Sequence, residues 1–134
     1  IYTSKVKSYV TKMNLGDNVK FIGHVDDVTR YLNENIQLTL IPSQTESFCR
    51  VAMESISVGI PVVAYRVGGL KEVILEGETG VLVSKDNVNE MAKSVNKILS
   101  NKELYKKMSN NALLDWRTRF YSESIKEQLF EVLH

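Results

Sequence analysis

Ile36-Gln37-Leu38-Thr39-Leu40-Ile41 is a short apolar run, Pro42 to Cys49 follows as a polar loop, and Arg50-Val51-Ala52-Met53-Glu54-Ser55-Ile56-Ser57-Val58 has the length of two helical turns. Gly59 then stops that stretch, and Pro61-Val62-Val63-Ala64-Tyr65 forms a second apolar run. Two strand-length runs joined by a helix-length segment predict parallel strands with a crossover helix, because a parallel pair cannot be joined by a tight turn. The alternation continues in both directions. Upstream lie a strand-like run at Val19 to Ile22 and a helix-length segment at Asp27 to Asn35; downstream lie a helix at Leu70 to Leu75 and a strand at Gly80 to Val83. Strand and helix in alternation predict an α/β, Rossmann-like doubly wound parallel sheet.

The flanks are helical. Val6, Val10 and Met13 recur at three to four residues, with Gly16 placed to end that helix at a positive φ. After Val83, Asn87 with Glu90 resembles a capping pair ahead of Met91, Val95, Ile98 and Leu99. Ser100 with Glu103 is expected to open the next helix, carrying Leu104, Met108, Ala112 and Leu113, and Ile125, Leu129 and Val132 mark a last one.

Length and composition bound the function. At 134 residues the chain is one domain with enough length for a core. Seven basic residues stand against six acidic ones through Val67, and ten against ten from Gly68 onward. Nucleic-acid and anionic-membrane docking need a concentrated basic stripe, which this balance lacks, so no nucleic-acid partner is expected. Cys49 is alone, which excludes an internal disulfide and points to a reducing, cytoplasmic compartment. No apolar run reaches the ~18 residues of a membrane span, and the first residues do not read as a signal peptide. Helix-like sequence is already running at Ile1, which suggests a piece of a longer chain.

Parallel sheets bind ligands beyond the carboxyl ends of their strands. The loop after Ile41 reads Pro42-Ser43-Gln44-Thr45-Glu46-Ser47-Phe48-Cys49-Arg50. A helix starting near Phe48 would present the free amides of Ser47 to Arg50 to an anion such as phosphate. Glu54 then lies roughly 6 to 9 Å along the axis, about the reach from a diphosphate to its ribose. A plainer reading stands beside this one: Ser43-x-x-Glu46 fits a capping box, and Arg50 is placed to pair with Glu54. Gly68-Gly69 permits either a ligand's close approach or a positive-φ turn. Asp26-Asp27 reads as a helix cap rather than a metal pair. His24 is a base-stacking group or a solvated loop residue, and Cys49 reads as space-filling rather than nucleophilic.

Glu46-Ser47-Phe48-Cys49-Arg50-Val51-Ala52-Met53-Glu54, two glutamates separated by seven residues, resembles the signature of the retaining nucleotide-sugar transferases of glycosyltransferase family four, which have the two-domain GT-B fold. Val19-Lys20-Phe21-Ile22-Gly23-His24-Val25, Ile41-Pro42-Ser43, Gly59-Ile60-Pro61-Val62-Val63-Ala64, Gly68-Gly69-x-x-Glu72-Val73 and Gly77-x-x-Gly80-x-Leu82-Val83 resemble that family's blocks in the same order. The family usually has Gly where Cys49 stands.

The resemblance implies that residues 1 to 134 are part of the C-terminal, donor-binding domain, truncated at its start and ending in extra helices. It implies a parent enzyme that moves a sugar from a nucleoside-diphosphate donor to a polysaccharide, glycolipid or glycan acceptor, with retention, no metal and no further cofactor. Glu46 would contact the donor sugar at the reacting centre and Glu54 the ribose. Ser43 and the amides around Ser47, Phe48, Cys49 and Arg50 would face the diphosphate or sugar, Gly23 to Val25 the base, and Gly68 and Gly69 the same donor cleft. The acceptor, and any peripheral membrane contact, would belong to an N-terminal domain outside this chain. Alone, the chain is then expected to be catalytically silent and to bind nucleotide no tighter than ~1 mM. The family's two further strands would lie upstream, so the Val19 to Ile22 strand must pair directly with Ile36 to Ile41 or find an edge elsewhere. Two other classes remain: a non-catalytic nucleotide- or sugar-binding module, and a phosphorylatable receiver domain. The latter needs an Asp and a Lys at strand ends, where this chain has Ile22-Gly23, Ile41-Pro42 and Tyr65-Arg66.

Overall fold

Val62, Val63, Ala64 and Tyr65 are all buried, on both faces of the pleat, so this run can only be the inside strand of a sheet covered on both sides. A computed structural model describes residues 2 to 47 and 49 to 120 and shows that arrangement. In order come α1 (Tyr2–Lys12), α2 (Val28–Asn35), β1 (Thr39–Ile41), α3 (Arg50–Ser57), β2 (Val62–Tyr65), α4 (Leu70–Val73), β3 (Gly80–Val83), α5 (Val88–Ser100) and α6 (Lys102–Asp115), with a π-helical stretch at Trp116–Phe120. The strands lie in the order β1-β2-β3, all parallel, with Thr39 opposite Val62 and Val62 opposite Gly80.

The pleat divides the core. Val62, Ala64, Leu82 and Ile41 join Ala52, Ile56, Leu70 and Ile74 on the face covered by α3 and α4. Val63, Tyr65 and Val83 join Met91, Ile98 and Met108 on the face covered by α5 and α6. Helices on both faces make the sheet doubly wound, as its sequence pattern requires. The polar groups inside are satisfied: the buried hydroxyl of Ser55 on α3 donates to that of Thr39 on β1 at 2.8 Å, and buried Thr79 accepts from the Leu75 amide at 3.0 Å.

Several local expectations shift. Val19 to Ile22 is not a strand; Val19, Phe21 and Ile22 stay 39%, 44% and 45% exposed. Among the described residues β1 bonds only to β2, and a strand without a partner leaves its backbone groups to water. Direct pairing with β1 therefore does not occur. The Ile36 to Ile41 run contributes only its last three residues to the sheet. Helix α1 ends at Asn14 (φ 57) rather than at Gly16: the Leu15 amide reaches back to the Val10 carbonyl at 2.9 Å and the Asn14 amide to Thr11 at 3.1 Å. These are the two bonds of a Schellman cap, and Asn tolerates its left-handed position. Asn101, not Ser100, caps α6, accepting from the Leu104 amide at 3.1 Å while Ser100 remains the last residue of α5. Asn87 caps α5 as expected, accepting from the Glu90 amide at 3.0 Å. Ile125, Leu129 and Val132 lie outside the described residues. No helix among the described residues is long and apolar enough to cross a membrane.

Two devices position the loops. Helix α6 donates side-chain hydrogen bonds to carbonyls ahead of each strand: Tyr105 to Gln37 at 2.6 Å, Ser109 to Gly59 at 2.6 Å and Asn111 to Glu78 at 3.1 Å. Arg119, one turn beyond, binds buried Asp115 at 2.7 Å and donates to the Glu72 and Val73 carbonyls at the end of α4, each at 2.8 Å. At the opposite edge the loop after β1 lies against the turn after β2. The Gly69 amide donates to the Glu46 carbonyl at 2.8 Å, and a Cβ on Gly68 (φ +46) would stand 1.6 Å from that same oxygen. The paired glycines thus serve a close approach of the chain's own backbone.

Gly68→Ala should cost about 2 kcal/mol or more, from left-handed strain and the loss of the Glu46 to Gly69 bond, read as a lower urea midpoint. Arg119→Leu should cost about 2 to 3 kcal/mol, below the figure for a fully buried pair because Arg119 is 35% exposed on its side chain. Removing Asp115 as well should restore part of that loss. Tyr105→Phe and Ser109→Ala should each cost about 1 kcal/mol, since each leaves a carbonyl unpaired.

Candidate functional site

The carboxyl ends of β1 and β2 open onto the first turn of α3. That helix begins at Arg50, with Cys49 as its cap in extended conformation (φ −97, ψ 94) and no side-chain cap bond. The start expected near Phe48 therefore falls two residues later, because the Cys49 carbonyl already accepts from the Met53 amide at 3.3 Å and closes the first turn. The open amides belong to the turn beginning at Arg50 rather than to Ser47 to Arg50. Ser47 is exposed in the loop, and Phe48 lies outside the described residues.

Cys49 is 3% exposed and belongs to the α3-facing core. Burial pushes its thiol pKa up, the amides of Ala52 and Val51 offset part of this, and the nearby Glu46 carboxylate adds to the rise. A protonated, buried thiol fills space and is no nucleophile.

Glu46 and Ser43 do not form a helix-capping box. The Ser43 hydroxyl donates to Glu46 Oε1 at 3.3 Å, but α3 starts four residues after Glu46, so the pair is internal to the loop. The Glu46 backbone is held by Gly69 and its side chain is half-buried. Gln44 to Ser47, Arg66 to Gly68 and Lys71 line a cleft of about 660 Å³ at this point. Arg66 and Lys71 were missed in the sequence reading. The available signal was Arg66 directly following a strand, where a parallel sheet points its loops at a ligand.

Glu54 accepts from Arg50 Nε at 2.7 Å; its side chain is 16% exposed while that of Arg50 is 86% exposed. The carboxylate is recessed and the cation lies over it in solvent. Such an i,i+4 pair is worth only about 0.5 kcal/mol and opens readily. Glu54, Arg50 and residues Asp26 to Thr29 enclose a second cleft, of about 420 Å³. Asp27 caps α2, accepting from the Arg30 amide at 3.2 Å and the Thr29 hydroxyl at 3.2 Å. No group of three His, Cys, Asp or Glu among the described residues is arranged to hold a metal.

Gly23 (φ +70), His24 and Val25 line a third, largely apolar cleft of about 540 Å³, next to Val28, Tyr31 and Leu40. His24 is exposed, with Nε2 3.0 Å from Asp26 Oδ1. The structure thus brings Glu46 together with Gly68, and Glu54 together with the turn that follows Gly23 to Val25. Gly69 serves the Glu46 backbone, and the first turn of α3 separates the two carboxylates.

Comparison with known proteins converges on one family. The model for glycosyl transferases group 1 matches residues 2–115. An uncharacterized glycosyltransferase of Methanocaldococcus jannaschii is 32% identical over 109 residues, covering 80% of this chain and 30% of that protein. The N-acetyl-alpha-D-glucosaminyl L-malate synthase of Bacillus anthracis is 34% identical over 119 residues, covering 89% of this chain and 31% of that protein. The Anabaena protein HepE, solved in complex with UDP, superposes with a TM-score of 0.88 at 28% identity, over 98% of this chain and 36% of that one. The chain spans about a third of the length of the curated relatives it matches. The parallel α/β sheet, the order of the loops and the match over most of its length agree: the chain belongs to the glycosyl transferases group 1 family.

Proposed function

We propose that the chain is the nucleotide-sugar-binding part of a retaining glycosyltransferase of family four, and that its parent builds a polysaccharide, glycolipid or glycan in the cytoplasm. The observation that carries this reading is the placement of Glu46 and Glu54 on either side of the first turn of α3, each in its own cleft at the carboxyl edge of the sheet. A nucleoside-diphosphate sugar has the same layout, with hydroxyl-rich rings on either side of two phosphates.

In this reading the base lies in the apolar cleft at Gly23 to Val25, and the ribose hydroxyls donate to the recessed Glu54 carboxylate. The ribose then competes with Arg50 for Glu54. Arg50 already sits at the start of α3 on an exposed side chain and turns to the diphosphate, adding its charge to the open amides. Glu46 accepts hydroxyls of the donor sugar, with Ser43 holding its other edge. As the bond from the sugar to the diphosphate breaks, the charge gathering on the leaving group is met by the amides and cation at α3. The incoming hydroxyl comes from an acceptor held by a separate domain. No metal takes part. On its own the chain binds donor weakly and turns nothing over.

Ligand-observed NMR at millimolar UDP, GDP and ADP tests the site. Saturation transfer to base and ribose protons is expected for one of the three, and Glu54→Gln should weaken binding by about 1 to 3 kcal/mol. An undiminished ribose signal in that variant would remove Glu54 from the ribose role, and no response to any nucleotide would favour a module that holds another ligand.

A further inference from the structure

Resting on the donor-site reading above, we infer that the cleft beside Glu46 takes a sugar carrying an acidic group, a carboxylate or a phosphate, recognised by Arg66 and Lys71. The cleft of about 660 Å³ has two walls, Gln44 to Ser47 and Arg66 to Lys71. They cannot drift apart without breaking the 2.8 Å bond from the Gly69 amide to the Glu46 carbonyl, and Gly68 leaves no space for a side chain between them. The backbones that carry the charged side chains are therefore held around one volume.

Within the cleft lining the cations outnumber the carboxylate, and the Glu76 carboxylate near Arg66 lies outside it. Among the described residues Glu46 is the one carboxylate lining the cleft, against two cations, and it accepts from the Ser43 hydroxyl rather than from either of them. Arg66 leans toward β3, donating from Nη2 to the Leu82 carbonyl at 3.2 Å and lying 3.7 Å from Glu76, with its side chain still 54% exposed. Arg66 also lines the cleft, and its Nε and Nη1 make no hydrogen bond among the described residues. Lys71 is exposed, and its ammonium has no hydrogen-bond or ion-pair partner among the described residues. A neutral hexose is served by Glu46 and by the polar side chains of Gln44, Thr45 and Ser47. The Lys71 ammonium and the spare donors of Arg66 add a demand that an anion meets, and a guanidinium can bind two oxygens of a carboxylate or phosphate at once. On the donor-site reading the donor's own diphosphate lies elsewhere, at the first turn of α3. The acidic group comes either from the transferred sugar or from the acceptor that approaches it.

Titration of the isotope-labelled chain with glucose, glucuronate, glucose 6-phosphate and inorganic sulfate, and separately with UDP-glucose and UDP-glucuronate, tests this. Amides between Arg66 and Lys71 should shift with glucuronate or glucose 6-phosphate at about three- to tenfold higher affinity than with glucose, the scale of one or two exposed ion contacts. The preference should fall with added salt and vanish in Arg66→Gln and in Lys71→Gln; the second replaces an exposed, unpartnered side chain and leaves the fold intact. Tighter binding of UDP-glucuronate than UDP-glucose assigns the acid to the donor, and a preference confined to the free acidic sugars assigns it to the acceptor. Equal affinity for glucose and its acidic counterparts overturns the inference, as does a sulfate response as strong as that to the acidic sugars. These outcomes separate from failure of the nucleotide reading. UDP shifts at Arg50 to Glu54 without an acidic preference overturn this inference alone, and an acidic preference without any UDP response supports it and overturns the nucleotide site.

Discussion

Three hydrogen bonds from one helix set the frame for everything else. In a parallel sheet the carbonyls just ahead of each strand have no ladder partner, and α6 supplies one to each: Tyr105 to Gln37, Ser109 to Gly59 and Asn111 to Glu78. Tyr105 and Ser109 stand about 6 Å apart along the helix axis and neighbouring strands about 4.8 Å apart, so adjacent turns serve β1 and β2, while Asn111, half a turn further on, reaches the chain ahead of β3. Helix α6 is thereby committed to the amino edge of the sheet. Beyond it, Arg119 fastens the end of α4 to the same helix through Asp115. With that edge closed, the loops free to carry a ligand are those at the carboxyl edge, after β1 and β2.

The carboxyl edge combines one rigid group with one that opens at little cost. Glu46 is fixed through its backbone, by a carbonyl seated on two glycines, so its carboxylate projects from a loop that cannot retreat. Glu54 is covered by an exposed arginine at the mouth of the same helix, in a pair weak enough for a ribose to displace. The rigid element suits orientation of a reacting sugar, where small displacements are expensive. In the proposed function the exchangeable one suits capture, since the freed cation would remain beside the donor's phosphates.

Much of this was legible because periodicity and side-chain chemistry are local. The β1–α3–β2 unit and the caps at Asp27 and Asn87 follow from apolar spacing and from side chains that reach a backbone amide three residues on. The errors have physical causes too. Val19 to Ile22 carries a strand's composition, but a strand exists only through its neighbour, and its exposed residues have none among those described. Asn14 in place of Gly16, and Asn101 in place of Ser100, are choices between adjacent residues with similar turn chemistry, decided by where each helix leaves the core. Ser43-x-x-Glu46 fits the spacing of a cap but stands before a loop, because Cys49 rather than Ser43 meets the first turn of α3.

The sequence by itself determined the alternation of strand and helix, the parallel winding that follows from it, and the pair of glutamates flanking one helix start. These depend on residue type at fixed local spacing. Only the tertiary structure decided which groups share a cleft. Arg66 and Lys71 face Glu46 because Gly68 lets one loop's backbone lie against another's, a contact between residues 22 positions apart that no local pattern encodes. It also decided what lies against the paired glycines: the Glu46 carbonyl oxygen of the chain itself.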